Sequence, residues 1–276
     1  MTSALVTGGT GTLGRLVVPR LRAAGHDVRV LSRKKPSDAA SAEGVEFVTG
    51  DLATGVGIQA ALAGVDVIVH CAGTNKQDDA KARTLVEAAR QAAPERPPHL
   101  VFISVVGADQ IPATSAVDRA MFGYFASKRA AELVVSQSGL PWTTLRATQF
   151  HELILMVAKG MAKLPVVPSP VGMRFQPVAA ADVADRLVEL ALGSPAGLVP
   201  DIGGPKTYQI AELLRDYLRA AGKRRPLLPV WLPGKAARAV RDGAILAPNH
   251  ATGTQTWEDF LASQVSEVPH RGEVSS

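Results

Sequence analysis

Short apolar runs alternate with longer amphipathic segments through the first half of the chain. The apolar runs are rich in valine and isoleucine and have no polar face, which is typical of parallel strands buried on both sides. They predict six strands: Ala4–Thr7, Asp27–Leu31, Glu46–Val48, Asp66–His70, Leu100–Ser104 and Trp142–Arg146. The segments between them carry apolar residues at helical spacing and predict four helices: Leu13–Ala24, Ile58–Leu62, Asp79–Ala92 and Ser127–Ser138. This alternation predicts an α/β fold, a doubly wound parallel sheet with right-handed crossovers and helices on both faces.

The regular alternation of strands and helices ends after Arg146. The sequence there predicts three helices and one strand around a proline-rich stretch: Phe150–Ala162, Pro165–Pro170, Arg174–Val178, Ala181–Leu192 and Ile210–Ala221. We therefore expect one domain over residues 1–148 and a small C-terminal lobe over 149–264, interleaved with the first domain around 174–205. Such a lobe would cap the carboxyl ends of the strands, where ligands bind in open α/β sheets. The polar residues 265–276 predict a flexible tail.

The composition is that of an ordinary globular protein. Hydrophobic residues make up 46% and charged residues 20% of the 276 positions, which excludes a disordered chain. The apolar run 153–158 is too short to span a bilayer, and the first strand starts too early to leave room for a signal peptide. One cysteine, Cys71, excludes an internal disulfide framework, and the histidines show no metal-ligand spacing. These features predict a cytoplasmic protein with neither a metal site nor a membrane partner.

The formal net charge is +5, and much of the basic excess lies late in the chain. The residues concerned are Arg215, Arg219, Lys223, Arg224, Arg225, Lys235, Arg238 and Arg241. One interpretation is a polyanionic partner. Aromatic residues do not interleave with these cations as a stacking platform for bases would require. We therefore favour a solvated helix face and predict no nucleic-acid partner. The sequence shows no helix typical of a subunit interface, so it leaves open whether the protein forms a homodimer.

The first strand and the first helix are joined by a glycine-rich turn. From Thr7 to Gly14 the chain reads Thr-Gly-Gly-Thr-Gly-Thr-Leu-Gly. Gly8 allows a tight turn, Gly11 lets the backbone approach a pyrophosphate, and Gly14 lets the helix pack closely. The helix N-terminus offers free N–H groups and the positive end of its dipole to phosphates. Glycine turns also occur for steric reasons alone, but strand, turn and helix in this order predict a Rossmann dinucleotide site. Its predicted residues are Gly8, Thr10, Gly11, Thr12, Leu13 and Gly14.

The end of the second strand distinguishes between two nicotinamide cofactors. NAD-binding proteins carry an acidic residue here, whereas this chain reads Ser-Arg-Lys-Lys from Ser32 to Lys35. A carboxylate would repel a 2′-phosphate, and a guanidinium can pair with it in a fork. We predict that Arg33 binds this phosphate, supported by Ser32 and Lys34, so that NADP(H) is preferred over NAD(H). The alternative is a basic surface loop.

Two further strand ends lie along the same predicted cleft. Asp51 and Leu52 follow the third strand, where a carboxylate can accept a hydrogen bond from an adenine amino group; the alternative is a turn-forming Gly-Asp pair. Cys71, Ala72 and Gly73 follow the fourth strand, and their small side chains let the backbone lie near a cofactor. We interpret Cys71 as a packed small hydrophobe rather than a nucleophile, because no base accompanies it.

A tyrosine and a lysine four residues apart, Tyr124 and Lys128, would lie on one helical face. A phenol titrates near pH 10, and a neighbouring ammonium lowers that pKa. Such a tyrosine can donate a proton to a carbonyl that is being reduced, or remove one from an alcohol. Ser104, which ends the fifth strand, can hydrogen-bond the same oxygen. The Tyr-x-x-x-Lys spacing is common by chance, but its place after a serine-terminated fifth strand predicts a catalytic trio, with Lys128 also at the cofactor.

The glycine turn, Ser104 and Tyr124-x-x-x-Lys128 together resemble a short-chain dehydrogenase/reductase of the extended or atypical type. Five further segments resemble its NmrA-like branch of NAD(P)H-binding proteins: Phe102–Gly107, Lys128–Glu132, Gly139–Arg146, Ala147–His151 and Pro177–Ala184. The similarity runs over nearly the whole chain, from Thr2 to about Leu261.

The resemblance implies a Rossmann-like fold and the serine, tyrosine and lysine roles described above. It also implies that residues 147–150 lie near the nicotinamide, with Gln149 and Phe150 facing the substrate. Some NmrA-like proteins lack the catalytic tyrosine and act as redox-sensing regulators, whereas this sequence retains Tyr124.

The leading hypothesis is an NADP(H)-dependent oxidoreductase that reduces a carbonyl, quinone or enone of a small organic substrate by hydride transfer. Tyr124 would be the general acid/base, Lys128 would tune it, and Ser104 would orient the substrate oxygen. The second hypothesis is a non-catalytic NADP(H) sensor that binds a protein partner. A sugar-nucleotide epimerase or dehydratase is a third, disfavoured because such enzymes generally hold NAD and the residues after Leu31 are basic.

Overall fold

A computed structural model describes residues 2–34, 44–73 and 77–266. Its strands are Ser3–Thr7 (β1), Asp27–Ser32 (β2), Val45–Thr49 (β3), Val67–His70 (β4), His99–Val105 (β5), Trp142–Ala147 (β6), Val167–Pro170 (β7), Arg174–Phe175 (β8), Gly197–Leu198 (β9), Tyr208–Gln209 (β10) and Leu227–Val230 (β11). Its α-helices are Gly14–Ala23 (α1), Ile58–Leu62 (α2), Asp78–Ala92 (α3), Ala116–Ser136 (α4), His151–Met161 (α5), Ala180–Leu192 (α6), Ile210–Ala220 (α7), Lys235–Arg241 (α8) and Trp257–Ser266 (α9). A 3-10 turn covers Pro248–His250.

Seven strands of the described chain form one parallel sheet in the order β3-β2-β1-β4-β5-β6-β9. The chain builds outward from β1 to β3, returns to the other side of β1 at β4, and continues to β6. This reversal between β1 and β4 is the topological switch at which open α/β sheets bind their ligands. The predicted fold class, a Rossmann-like doubly wound sheet, is confirmed. The short strand β9 was not predicted.

Alternate residues of the central strands point into two separate apolar layers. In β1, Ala4 and Val6 face the layer that holds α1 and α6, whereas Leu5 faces the layer that holds α2, α3 and α4. The fully buried Ile68 and Phe102 join Leu5 on its side. Both faces of the sheet are therefore covered, which explains why its strands read as continuous apolar runs.

A third apolar cluster forms the small lobe around the fully buried Trp257. It combines α5, α7, α8 and α9 with two small sheets, the parallel pair β7–β11 and the antiparallel pair β8–β10. The chain between these elements returns to the large domain, because α6 packs on α1 and β9 pairs with β6.

The structure differs from the sequence prediction most clearly at α4. This helix begins at Ala116, not at Ser127, and a capping box formed by Ser115 and Asp118 starts it. Its first half places Phe122 and Phe125 against the small lobe, and its second half buries residues against the large domain. Because the buried face changes along the helix, no single apolar stripe marks its full length.

The proline-containing segments of the small lobe also differ from the prediction. The stretch predicted as a proline-rich connection contains β7, and Leu227–Val230 forms its partner β11. Prolines are tolerated in such a two-stranded ribbon because its edges need no further ladder bonds. Helices α8 and α9 were not predicted. Helix α9 continues to Ser266, two residues into the segment expected to be a flexible tail, and residues 267–276 lie outside the described residues.

Two features of the described residues concern membranes and metal ions. None of the helices there has the length and apolar character needed to cross a membrane. Within residues 2–34, 44–73 and 77–266, no group of three or more histidine, cysteine or carboxylate side chains could hold a metal ion.

Candidate active site

A cavity of about 1120 Å³ lies over the carboxyl ends of β1, β4, β5 and β6, beneath the small lobe. Its walls come from both parts of the molecule. The large domain contributes the glycine turn and the ends of the four strands, helix α4 runs along it, and the small lobe contributes apolar side chains. The predicted site residues that line it are Gly8, Gly11, Thr12, Leu13, Gly14, Cys71, Gly73, Ser104, Tyr124, Lys128, Gln149 and Phe150.

Three glycines of the turn have no space for a side chain. Gly8 has a φ of +70°, and a Cβ atom there would lie 2.7 Å from the backbone nitrogen of Ala72. A Cβ atom on Gly14 would lie 2.2 Å from the Gly8 carbonyl oxygen. The sequence analysis missed Gly9, where a Cβ atom would come within 2.7 Å of Val30 in the neighbouring strand. The backbone is thus held close to two strand ends, with the N-terminus of α1 directed at the cavity.

The predicted 2′-phosphate residues lie at the end of β2, beyond the lined part of the cavity. Arg33 and Lys34 are exposed, and the Ser32 hydroxyl donates a hydrogen bond to the Lys34 carbonyl oxygen at 2.8 Å. Neither cation forms an ion pair with any described residue. Lys35 lies outside the described residues. Both cationic side chains are therefore available to an anion, and Thr10 in the glycine turn is likewise exposed.

Asp51 and Leu52 have local structural roles. The Asp51 carboxylate accepts a hydrogen bond from the Ala53 N–H at 2.9 Å, which stabilises the turn after β3. Leu52 is buried in the layer under α2 and α3. Neither side chain lines the cavity, and their contact with a cofactor stays a prediction.

The end of β4 brings small residues to the cavity. Burial raises the pKa of the Cys71 thiol to about 12, so that it stays protonated at neutral pH. Ala72 packs on the glycine turn, as described above. A Cβ atom on Gly73 would lie 2.8 Å from the Lys128 Nζ, so only a glycine leaves room for that ammonium.

Ser104, Tyr124 and Lys128 all line the cavity. Ser104 ends β5, and its buried hydroxyl has no hydrogen-bond partner among the described residues. Tyr124 and Lys128 follow each other by one helical turn in α4, with the Lys128 Nζ 5.9 Å from the centre of the Tyr124 ring. A buried hydroxyl without a partner is costly in an apolar surrounding, which marks Ser104 as a position that an oxygen of a ligand can satisfy.

The electrostatics around Tyr124 differ from the expectation. The Lys128 Nζ lies 3.2 Å from an oxygen of Asp78 and 3.3 Å from the Ile103 carbonyl oxygen, with both charged side chains almost fully buried. Burial, and secondly the Asp78 carboxylate, raise the pKa of Tyr124 to about 12. The expectation that Lys128 lowers this pKa is therefore wrong for the protein without ligand, because the ammonium charge is compensated by Asp78. The sequence analysis missed Asp78 by starting the third helix at Asp79.

Gln149 and Phe150 lie in the segment that leads from β6 into the small lobe. The Gln149 side chain donates to the Ile245 carbonyl oxygen at 3.1 Å and accepts from the Gln176 N–H at 3.2 Å. Its amide thus joins the lobe to the large domain, and its predicted contact with substrate stays a prediction. Phe150 lines the cavity as part of an apolar wall whose other members are Phe122, Phe125, Leu153, Met173, Phe175, Val240 and Ile245.

A buried ion pair holds helix α4, which carries Tyr124 and Lys128, against the sheet. Arg146 binds both carboxylate oxygens of Glu132, at 2.7 and 2.8 Å, and Asp109 at 3.0 Å. Glu132 lies one turn after Lys128 in α4, and Arg146 lies in β6. The bidentate pair therefore fixes α4 against the sheet at the level of Tyr124 and Lys128.

The fold and this cavity define a class: Rossmann-type proteins that bind a nicotinamide dinucleotide over the glycine turn. A family model described as NAD(P)H-binding matches residues 8–192. The chain belongs to this NAD(P)H-binding family, and the resemblance to atypical short-chain dehydrogenases/reductases is confirmed.

Three curated relatives are reductases by name, one of them a ceramide reductase of Caulobacter vibrioides that is 34% identical over 246 residues, covering 83% of this chain and 74% of the relative. The chain is 32% identical over 238 residues to (4-alkanoyl-5-oxo-2,5-dihydrofuran-3-yl)methyl phosphate reductase of Streptomyces griseus, covering 85% of this chain and 78% of the relative. It is 26% identical over 285 residues to an NAD(P)H azoreductase of Xenophilus azovorans, covering 96% and 91%. Three uncharacterized mycobacterial proteins are 26% identical, and the chain spans 24% of their length. The coarse class is therefore an NAD(P)H-binding reductase family.

Solved structures bear on the fold alone. An NADPH-dependent quinone oxidoreductase from Escherichia coli, in complex with NADPH, superposes with a TM-score of 0.74 at 18% identity, covering 95% of this chain and 99% of that chain. A nucleoside-diphosphate-sugar epimerase from Staphylococcus aureus has the same TM-score, identity and coverage. Since two chemistries share this fold equally well, the reaction must be argued from the site.

Proposed function

We propose that this protein is an NADP(H)-dependent reductase that transfers hydride to a carbonyl, quinone or enone of a small, largely apolar molecule. One observation carries the proposal. A single cavity is bounded by the glycine turn, by the side chains of Ser104, Tyr124 and Lys128, and by the apolar wall of the small lobe. Cofactor, proton donor and substrate can therefore meet in one space.

The residues present fit a nicotinamide dinucleotide. Gly8 and Gly14 leave no room for a side chain next to the turn. The N–H groups of Thr12, Leu13 and Gly14, at the start of α1, donate to no described residue and are available to the pyrophosphate. Arg33 would bind the 2′-phosphate that distinguishes NADPH from NADH. When bound, NADPH supplies the hydride.

Tyr124 can serve as the proton donor. With its pKa raised to about 12, the phenol is protonated at neutral pH and can donate to an oxygen that gains negative charge. Ser104 would hydrogen-bond the same oxygen and orient it. Lys128, held by Asp78, lies beside both the phenol ring and Gly73, and would position the cofactor.

The substrate side of the cavity favours an apolar molecule. Its wall in the small lobe consists of aromatic and aliphatic side chains, with the Arg119 side chain at its border. Two of the reductase relatives are named for a 5-oxo-2,5-dihydrofuran and for an azo compound, both of them conjugated organic molecules. We propose a conjugated carbonyl or quinone as the substrate class, on the basis of this lining and these relatives.

Exchanging Tyr124 for phenylalanine tests the proposal. Tyr124→Phe removes the proton donor and keeps the ring, so turnover of quinones, ketones and enones with NADPH should fall by at least about a hundredfold. NADPH affinity, measured by calorimetry, should stay nearly unchanged. The matched control is Tyr217→Phe, which removes a phenol hydroxyl from the core of the small lobe and should leave turnover intact.

The alternatives give different results in the same experiment. If the wild-type protein binds NADPH and reduces nothing, the redox-sensor hypothesis replaces the reductase. If it binds NAD tightly and interconverts sugar nucleotides, the epimerase hypothesis replaces it. If it binds neither coenzyme, all three fail.

A further inference from the structure

The positive charge of the molecule is concentrated in two segments of the small lobe. Residues 153–178 and 217–241 contain ten basic residues and no acidic residue. The ten are Lys159, Lys163, Arg174, Arg219, Lys223, Arg224, Arg225, Lys235, Arg238 and Arg241. Because the whole chain has 30 basic and 25 acidic residues, the remainder has 20 basic and 25 acidic residues. The two segments thus carry +10, and the rest of the molecule carries −5.

Most of these cations are available to a partner. Six of them are exposed and form no ion pair with any residue that the structure describes: Lys159, Lys163, Lys223, Arg224, Arg225 and Lys235. Arg219 and Arg238 pair with nearby carboxylates, of Asp216 and Asp242. The unpaired cations give this part of the molecule a positive potential, which attracts an anionic surface.

The same two segments expose apolar side chains. Thirteen large apolar residues of the described chain are strongly exposed, and eight of them lie in these segments. The eight are Leu153, Met156, Val157, Leu164, Val166, Val171, Leu228 and Trp231. Single exposed apolar side chains need no explanation, but a concentration of them marks an interaction surface.

The β7–β11 ribbon brings several of these residues together. Leu228 lies opposite Pro168 in the ladder, and the Val171 N–H donates to the Val230 carbonyl oxygen at 2.9 Å, next to Trp231. Trp231, 63% exposed, stacks under the Arg241 guanidinium at 4.0 Å. The other side of β7 is buried in the lobe. We call the exposed residues of the two segments the basic apolar face.

The combination of charges and apolar groups restricts the partner. A second copy would bring two cationic faces together, which is electrostatically unfavourable. A nucleic acid would neutralise the cations but leave the aliphatic side chains in water. An anionic lipid surface satisfies both: lysine and arginine bind the headgroups, and Leu228 and Trp231 insert at the boundary of the acyl chains. Tryptophan is enriched at that depth.

We propose that the basic apolar face docks this protein on an anionic lipid surface. The expectation of no membrane partner rested on the lack of a spanning segment, and interfacial binding needs none. The same segments also line the cavity, through Leu153, Met173, Phe175 and Val240. An apolar substrate could thus enter from the lipid phase, a consequence that rests on the proposed function.

Vesicle binding tests the docking without cofactor or substrate. The full-length protein should co-sediment with vesicles of equimolar phosphatidylcholine and phosphatidylglycerol, and not with phosphatidylcholine alone. Added salt should weaken the binding. The double variant Arg224→Glu, Arg225→Glu should lose about tenfold or more in affinity. The matched control reverses two exposed cations of the large domain, Arg90→Glu with Arg96→Glu, and should bind as the wild type does.

Tryptophan fluorescence gives a second readout. The chain has three tryptophans, of which Trp257 is fully buried and Trp231 is the most exposed. A blue shift on addition of anionic vesicles that disappears in Trp231→Phe supports insertion of this side chain.

The proposal is overturned if anionic vesicles are not bound, or if both double variants bind equally well. It is also overturned if an oligonucleotide binds through the same cations while the vesicles do not. Loss of docking with intact reductase activity in detergent-free assays would leave the proposed function standing.

Discussion

We propose that cofactor preference depends on Arg33. It is exposed at the end of β2 and forms no ion pair among the described residues, so its guanidinium is available to a 2′-phosphate. Arg33→Ala should weaken NADPH binding by about 1–3 kcal/mol, the scale of a lost charged hydrogen bond, and hardly change NADH binding. Calorimetry with both coenzymes measures this. Arg90→Ala, on the outer surface of α3, is the control, and equal losses for both coenzymes would refute the phosphate assignment.

Asp78 is expected to set the pH range in which Tyr124 can act. Its carboxylate compensates Lys128 and helps to raise the pKa of Tyr124 to about 12. Asp78→Asn removes that negative charge and frees the ammonium charge, so the phenol should lose its proton at lower pH. Because reduction needs the protonated phenol, the alkaline limb of the pH–rate profile should move to lower pH.

A carboxylate outside the cavity provides the control. Glu87→Gln changes an exposed carboxylate of the same helix that does not line the cavity. That variant should leave the alkaline limb in place. The position of the limb, rather than the rate, is the readout, since a general loss of folded protein would not move it. An unchanged limb in Asp78→Asn contradicts the assigned role.

Arg33 and Asp78 illustrate what a sequence can predict about a site. The predicted role of Arg33 needs only local information, a strand followed by cations where an acidic residue is usual. The predicted roles of Tyr124 and Lys128 rest on a spacing within one helix, and all three roles stay predictions. Asp78 could not be recognised in this way, since its significance depends on a contact with Lys128, 50 positions away, that only the folded chain creates.

At the scale of elements, two glycines should respond in opposite ways to alanine. A Cβ atom on Gly14 would lie 2.2 Å from the Gly8 carbonyl oxygen, so Gly14→Ala must open the turn that starts α1. We expect a loss of about 1–3 kcal/mol in unfolding free energy, the usual cost of overpacking, together with weaker NADPH binding.

Gly160 supplies the contrast within a helix. It lies in α5, and a Cβ atom there would have no neighbour within 4 Å among the described residues. Gly160→Ala should therefore stabilise the protein by about 0.5–1 kcal/mol, because alanine favours a helix more than glycine does. Denaturant unfolding of both variants gives the two free energies. The two expected changes have opposite signs, and a neutral Gly14→Ala would show that the turn is not close-packed.

Elements whose burial stays the same along their length were predicted well, and the others were not. Strands β1, β2 and β4 to β6 read directly from their apolar runs, because both of their faces are buried. Helix α4 was shortened in the prediction because its two halves bury different faces. Strands β7 and β11 contain prolines and belong to a ribbon whose partner strand lies about 60 residues away. Their pairing is a property of the lobe as a whole, which no local pattern contains.

At the scale of the whole molecule, the site depends on the junction of the two parts. Gln149 and Gln176 link the lobe to the end of β6 through buried hydrogen bonds, including one from Gln176 to the Gly204 carbonyl oxygen at 2.8 Å. The apolar wall and the cofactor turn are thus held in one arrangement. Buried, fully bonded amides of this kind specify a unique packing more than they add stability.

Both parts of the molecule also bury histidines in neutral form, which predicts acid sensitivity. Burial lowers the pKa of His70, at the end of β4, to about 3, and that of His151, in the small lobe, to about 4, against an ordinary value of 6.5. Below pH 6.5 these histidines bind protons in the unfolded chain but stay neutral in the folded protein. The folded protein therefore has its full stability above pH 6.5. As the pH falls from 6.5 toward each folded pKa, each histidine lowers the free energy of unfolding by about 1.4 kcal/mol per pH unit.

Replacing His151 should remove one of these two contributions. The ring is fully buried, stacks on Phe260 at 4.9 Å, and has no hydrogen-bond partner for either nitrogen among the described residues. His151→Phe keeps the stacking and cannot take up a proton. The stability of the variant relative to the wild type should thus rise by about 1.4 kcal/mol for each pH unit between 6.5 and 4. Urea unfolding across this range measures the difference, with His250→Gln on the surface as the control. If the His151→Phe and wild-type curves stay parallel, the buried ring is charged in the folded protein and the small lobe must contain a partner for it.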